Sequence, residues 1–247
     1  MLIVKYFGDD ALSFVEKGSF RFGTLLKYRK AEGAAAEDRF SDEREGLLQR
    51  EVTSDSGFIE YVRTPNGGTY SNCFFGGNAG GDILLTSSIN EYIFCASTGP
   101  YAQHHHRQML FGSAAAGGKV YQGNPTLFNY AVIDLSQFLD GISKEMAAKL
   151  SMERRYCRHN LIRHDLVGYG DPRVHYSGPR HSFSQKISDT EYLPTLFVKA
   201  MRFSPEKEYR IVAKINPTGF ISADSVPVSF INPTLRRSVV EIGRFEG

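Results

Sequence analysis

Alternation of apolar and polar positions dominates the chain and predicts strands more often than helices. In "SFRFG" (19–23), Phe20 and Phe22 share one face of an extended segment, and Ser19, Arg21 and Gly23 share the other. Similar strand-like runs lie near 48–53, 57–63, 69–75, 82–86 and 92–97, punctuated by the turn-rich "TPNGG" and "GGNAGG". "NYAVIDL" reads as a strand, and further strands are expected in "LFVKAMRF", "YRIVAKI", "SVPVSF" and "SVVEIGRF". Helical signals are shorter. "DDALSFVEKG" predicts a helix with Asp9 or Asp10 as N-cap and Gly18 just past its end. "TLLKYRK" predicts a short helix capped by Thr24, and "SQFLDGISKEMAAKL" a longer one capped by Ser136. Residues 99–126 read as loop-rich, and 151–192 show little period. The fold class predicted is β-rich α+β, one domain over residues 1–247, with a basic Arg/His/Tyr-rich insertion around 151–192.

Composition adds few constraints. The chain has 247 residues, 41% of them hydrophobic and 23% charged, as in an ordinary globular protein. No apolar run reaches the ~18 residues a membrane span needs, and "MLIVKYFGDD" turns acidic too soon for a secretory signal. Cys73, Cys95 and Cys157 have no CxxC spacing, which fits a reducing cytosol and argues against a disulfide or zinc framework. A cytoplasmic location is expected. The net charge of +2 hides a polarised distribution. Residues 37–45 are acidic, whereas 151–186 carry seven Arg or Lys against three acids, interleaved with Tyr156, Tyr169 and Tyr176. Cations interleaved with aromatic rings suit a single-stranded nucleic acid. Arg154, Arg155, Tyr156, Arg158 and Arg163 are the candidate contacts; a solvated connection between strands is the alternative.

Several apparent motifs fail. "GSAAAGGKV" misses the phosphate-loop spacing and has Val120 where a hydroxyl belongs. No GxGxxG follows a strand, so a Rossmann dinucleotide site is unsupported. His104, His105 and His106 are consecutive, and a solvated loop accounts for them better than metal binding. His159 and His164 suit ribonuclease-type acid/base work or, more simply, a basic binding surface. No metal site is expected.

"FSPEKEYRIV" (203–212) carries the candidate chemistry. If the segment is extended, Glu206 and Glu208 look the same way while Tyr209 and Ile211 fill the other face. Paired carboxylates on rigid backbone suit acid/base work or stabilisation of a cation, but they also describe a solvated strand end. In "RFGTLLKY", Arg21 can donate to phosphate or ribose, Gly23 admits close approach to the main chain, and Tyr28 offers a ring for stacking. "EYIFCASTG" ends a strand on Ser97 and Thr98.

Arg-x-Gly-Thr early, Ser-Thr in the middle and Glu-x-Glu late: this order of strand motifs resembles the ADP-ribosyltransferase superfamily, bacterial toxin type. Arg21, Gly23 and Thr24 match its first motif, Ser97 and Thr98 the second, Glu206 and Glu208 the third. Phe22 stands where the His-Gly-Thr branch has histidine, and Gly99 cuts short the Ser-Thr-Ser of the arginine branch. The resemblance implies a split β-sheet with short flanking helices that clasps NAD as substrate. Glu208 would stabilise the oxocarbenium-like ribose and Glu206 would orient or deprotonate the acceptor. Tyr28 would stack on the ring, Gly23 hold the carboxamide, Arg21 the phosphates or ribose, Ser97 the glutamate; Thr24 and Thr98 complete the cofactor-binding set. It further implies a toxin that modifies nucleic acid, RNA before DNA, in phage defence. A protein antitoxin, and the chaperone of toxin–antitoxin–chaperone systems, would be its partners. Transfer to protein side chains and a non-catalytic RNA-binding module are the alternatives.

Overall fold

The computed structural model describes residues 1–25, 47–52, 57–63, 69–75, 83–88, 91–114, 120–121, 123–153, 162–170, 196–213 and 226–247. Its strands, in chain order, begin with β1 (Leu2–Phe7), β2 (Ser19–Thr24), β3 (Leu47–Val52), β4 (Gly57–Arg63), β5 (Thr69–Phe75) and β6 (Ile83–Ser88). They continue with β7 (Tyr92–Thr98), β8 (Ser113–Ala114), β9 (Val120–Tyr121), β10 (Asn129–Asp134), β11 (Ile162–Leu166) and β12 (Gly168–Gly170). The last are β13 (Val198–Ala200), β14 (Glu208–Ala213), β15 (Val228–Ile231) and β16 (Val239–Arg244). Helices α1 (Leu12–Glu16), α2 (Gln103–Phe111), α3 (Leu135–Glu153) and α4 (Pro233–Ser238) are joined by 3-10 turns at Asp9–Ala11 and Met201–Glu206. The class is mixed α+β, as the alternation predicts. No helix among the described residues is long and apolar enough to cross a membrane.

The main sheet has eight strands, all antiparallel, and it branches at β7. One path runs β11-β14-β7-β1-β10-β16, while β2 joins β7 and carries β15. β1 and β2 thus share one edge of β7: β1 pairs at Ser97 and Thr98, β2 at Tyr92 and Ile93. Between them, residues 94–96 face a gap in the ladder. A buried backbone carbonyl there needs another donor. The Lys5 ammonium supplies it, reaching the Cys95 carbonyl at 2.8 Å. β3 with β6 and β4 with β5 form separate antiparallel pairs.

The two faces of the sheet bury different things. On one face Ile3, Phe7, Phe94, Tyr209 and Ile211 meet Phe20 and Phe22 of β2, Phe138 of α3 and Phe230 of β15. The rings pack edge-on, Phe20 on Phe138 at 4.8 Å and 89°, Phe22 on Phe230 at 4.8 Å and 78°. Such pairs add about 0.5–1.5 kcal/mol each beyond area burial. Burial of Phe20 and Phe22 turns Arg21 and Gly23 outward to the opposite face, as their alternation requires. On that face Val4, Tyr6 and Met109 of α2 form a smaller cluster, and Leu25, Ile93, Leu196 and Val212 form another.

Local signals explain some ends and correct others. Gly18 takes φ +72 after α1, and a Cβ there would lie 2.5 Å from the Arg236 nitrogen, so only glycine fits. The longer helix is capped by Asp134, whose Oδ1 accepts from the Gln137 amide at 2.9 Å, and not by Ser136, which lies inside it. Residues 99–126 are not all loop: "QHHHRQMLF" forms α2, whose buried positions include His105 and His106. The tract 151–192 contributes the edge strand β11 as well as β12. Thr24 ends β2 and Leu25 directly after it is helical, as a helix start at Thr24 requires; the rest of "TLLKYRK" lies outside the described residues.

Candidate active site

Glu206 and Glu208 converge, but not by the extended geometry that their spacing predicts. Glu206 closes the 3-10 turn, Lys207 takes a left-handed φ of 47, and Glu208 opens β14. Both glutamates are buried, 6% and 3% exposed, so neither belongs to a solvated strand end. They meet on Lys199 of β13, whose ammonium lies 2.7 Å from Glu206 Oε2 and 2.9 Å from Glu208 Oε2. Arg210, two residues along β14 and fully buried, closes on the other Glu208 oxygen with Nε at 2.8 Å and Nη2 at 2.7 Å. Its Nη1 donates to the Leu196 carbonyl.

The two carboxyls titrate in opposite directions. Burial pushes Glu206 up to about 7, outweighing Lys199. Burial would raise Glu208 too, but Arg210 and Lys199 more than offset it and hold that carboxyl well below the ordinary range. Burial, with the Glu208 charge beside it, raises the Cys95 thiol pKa strongly. The Lys5 pKa is lowered by burial, against the pull of Cys95, Glu208 and Glu206.

These groups line a cavity of about 240 Å³ between the sheet and α2. Lys5, Cys95, Ser97, Lys199, Glu206, Glu208 and Arg210 supply its polar wall, and Val4, Met109 and Leu127 part of its apolar wall. Ser97 sits opposite Glu208 in the β7–β14 register and donates through Oγ to the Glu206 carbonyl at 2.7 Å. Thr98 gives both its amide (2.9 Å) and its hydroxyl (3.2 Å) to the Lys207 carbonyl. Tyr169 of β12 receives the Glu208 amide on its hydroxyl at 2.7 Å. The middle-strand Ser-Thr pair therefore grips the backbone between the two glutamates.

The first motif lies further off. Arg21 is exposed and opposite Ser229 in the β2–β15 register; Gly23 pairs Ile93 and Thr24 pairs Tyr92 in the ladder, both buried. None of the three lines the cavity, although Arg21 shares its sheet face. Tyr28, Arg154, Arg155, Tyr156 and Arg158 lie outside the described residues, as does His159. Arg163 is exposed on β11. His164 on the same strand is hydrogen-bonded through Nδ1 to the Tyr209 hydroxyl at 2.6 Å. Lys5, Lys199, Arg210 and Tyr169 were not among the candidates from sequence. In sequence Arg210 showed only as a charge on the glutamate side of a β-prone run, and Tyr169 only as one of the tyrosines of the basic tract. Among the described residues no three His, Cys, Asp or Glu side chains are grouped to hold a metal ion. No protein-family model, curated protein or solved structure matches the chain.

Proposed function

We propose that the chain is an NAD-dependent ADP-ribosyltransferase, with Glu208 as the fixed anion and Glu206 as the proton acceptor. One observation carries the reading: two carboxylates bound to the same lysine, in one cavity at a branch of the sheet, with titrations driven apart. A carboxyl held ionised suits stabilisation of an oxocarbenium-like ribose carbon, and one near neutrality suits proton transfer at physiological pH. In the reaction the bond from ribose C1′ to the nicotinamide nitrogen breaks, and nicotinamide leaves with the electron pair. The acceptor attacks C1′ and gives its proton to Glu206. A cavity of about 240 Å³ admits part of a dinucleotide, the ribose and its leaving ring, with the remainder outside. Arg21 is exposed on the same sheet face but outside the cavity lining, so on this reading it would meet the part of the dinucleotide that remains outside.

A nucleic acid acceptor, RNA in first place, is supported by the composition of the basic tract and by Arg163, the one candidate contact among the described residues. β11 pairs directly with the carboxylate strand β14, with Arg163 opposite Val212. The role in phage defence under an antitoxin rests on the motif resemblance. A second reading has its own observation: both Glu208 oxygens are already paired with cations. On that reading the cluster is a structural ion network in a non-catalytic binding module. The test is incubation of the purified protein with labelled NAD and separate RNA, DNA and protein pools. Label transferred to RNA supports the first reading. Label on protein reassigns the acceptor. A folded protein that neither consumes NAD nor labels any pool favours the second.

A further inference from the structure

Successive carbonyls through the turn that joins the two glutamates each have a donor. Ser204 accepts from the Lys207 amide at 3.2 Å, and Glu208 from the Val167 amide at 2.9 Å. Glu206 and Lys207 accept from Ser97 and Thr98. The remaining carbonyl, that of Pro205, accepts from His105 Nε2 at 2.7 Å. His105 comes from α2, across the cavity from the sheet, and is only 4% exposed. A carbonyl can only accept, so Nε2 carries the hydrogen. Nδ1 is then an acceptor and takes the Tyr6 hydroxyl at 3.1 Å. Tyr6 lies on β1 beside Lys5 and lines the cavity with it. The histidine thus bridges β1 and the turn, with its tautomer set at both ends.

We propose that His105 is a positioning residue for Glu206, acting through the Pro205 carbonyl to hold the turn in its left-handed form. Glu208 has independent anchors, since β14 lies in the ladder and Arg210 grips its carboxylate. Glu206 has fewer: Lys199 on its side chain, and Ser97 and His105 on the backbone around it. Loss of His105 therefore displaces the proton acceptor and leaves the fixed anion in place. This assignment rests on the function proposed above and gives that reaction a residue on a third element.

The experiment compares full-length parent, His105→Leu, His105→Gln and Tyr6→Phe. Glutamine keeps a donor near the position of Nε2; leucine does not; Tyr6→Phe removes the partner of Nδ1 and leaves the ring packed. Amide exchange is read over residues 201–210, independently of any activity. Loss of one buried hydrogen bond is expected to speed exchange at Lys207 and Glu208 up to roughly tenfold in His105→Leu. His105→Gln restores most of the protection, and Tyr6→Phe falls between. With NAD and acceptor, His105→Leu is expected to lower transfer while NAD hydrolysis stays within about twofold of the parent. Unchanged exchange in both His105→Leu and Tyr6→Phe overturns the inference. So does an equal fall in hydrolysis and transfer with a lower melting temperature, unrelieved in His105→Gln. Should His105→Leu not fold, Gln and Phe decide the matter by the same readouts. A parent protein without hydrolysis or transfer overturns the functional reading instead, and the exchange result alone then decides whether His105 holds the turn.

Discussion

Arg210 and Glu208 stand two residues apart on one strand, and a single carboxylate oxygen receives both Nε and Nη2 of the guanidinium. Neither residue is more than 3% exposed. A charge with so little water depends on its partner, and breaking a buried pair costs about 3–5 kcal/mol. Arg210→Leu is expected to lower the urea unfolding free energy by that amount. In Arg210→Leu with Glu208→Leu the loss is expected to be smaller than the sum of the two single variants, because no charge is stranded. A strictly additive pair would show that the contact is energetically idle.

Glu208→Gln is expected to reduce ADP-ribosyl transfer and NAD hydrolysis together, by roughly 10²–10³-fold. The burial of the site adds a condition to this comparison. An amide opposite Lys199 and Arg210 leaves a cation poorly paired, so a loss of about 1–3 kcal/mol in stability is expected as well. Rates are therefore compared per folded molecule, with circular dichroism on the same samples. Glu206→Gln is expected to spare hydrolysis and depress transfer.

The two carboxyls give stability opposite slopes with pH, in different windows. Glu206 is raised to about 7, so between its ordinary pKa of 4.5 and about 7 the folded protein binds the extra proton. Its contribution is fully present below 4.5 and is lost as pH rises through about 7, on the order of 3 kcal/mol in all. Glu208 is depressed, so its contribution is present above 4.5 and is lost as pH falls. His105 and His106, held neutral chiefly by burial, also lose stability as pH falls, but they cancel in a difference between variants. The unfolding free energy of the parent minus that of Glu206→Gln is expected to decline from pH 4.5 to 7. A flat difference would contradict the burial assigned to Glu206.

Lys207 is a non-glycine residue at φ 47. A left-handed L-residue costs roughly 1–2 kcal/mol, of which glycine returns about 0.5–1 kcal/mol as chain entropy. Lys207→Gly is expected to raise stability by up to about 1 kcal/mol, whereas Ser97→Ala and Thr98→Val lower it by about 1 kcal/mol each. Thermal unfolding of the three variants checks the signs.

For the acceptor, replacing Arg154, Arg155 and Arg158 with Gln is expected to flatten the salt dependence of RNA binding by roughly two units of slope. NAD hydrolysis without acceptor should persist. Equal slopes for parent and triple variant would reassign the acceptor to protein.

The strands were legible where the alternation was strict. Phe20 and Phe22, and Tyr209 and Ile211, enter the core as their period predicts, because that period follows directly from the pleat. The three histidines were misread for the opposite reason: polar side chains hide a helix whose inward face is polar but hydrogen-bonded. His105 and His106 are buried with carbonyl partners at 2.7 and 2.6 Å, which no hydrophobic pattern reports. At the site, the glutamates were singled out because they stand two residues apart, and Ser97 because its Ser-Thr pair ends a strand. Lys5 and Lys199 were not, since their role follows from where β1 and β13 lie in space. The left-handed Lys207 was equally hidden, because lysine carries no signal for that conformation.

The branch at β7 also sets the order in which the cavity can exist during synthesis. β7 pairs with strands from residues 2–7 and 19–24, all made early, and with β14 at 208–213, made more than a hundred residues later. Until β14 emerges from the ribosome, Ser97 and Thr98 have no turn to grip and Lys5 has no carboxylate nearby. A nascent chain halted before residue 208 thus lacks both glutamate and guanidinium on that strand and has no charged pocket. Whatever the pocket does begins only after β14 has been made, more than a hundred residues after the strand it completes.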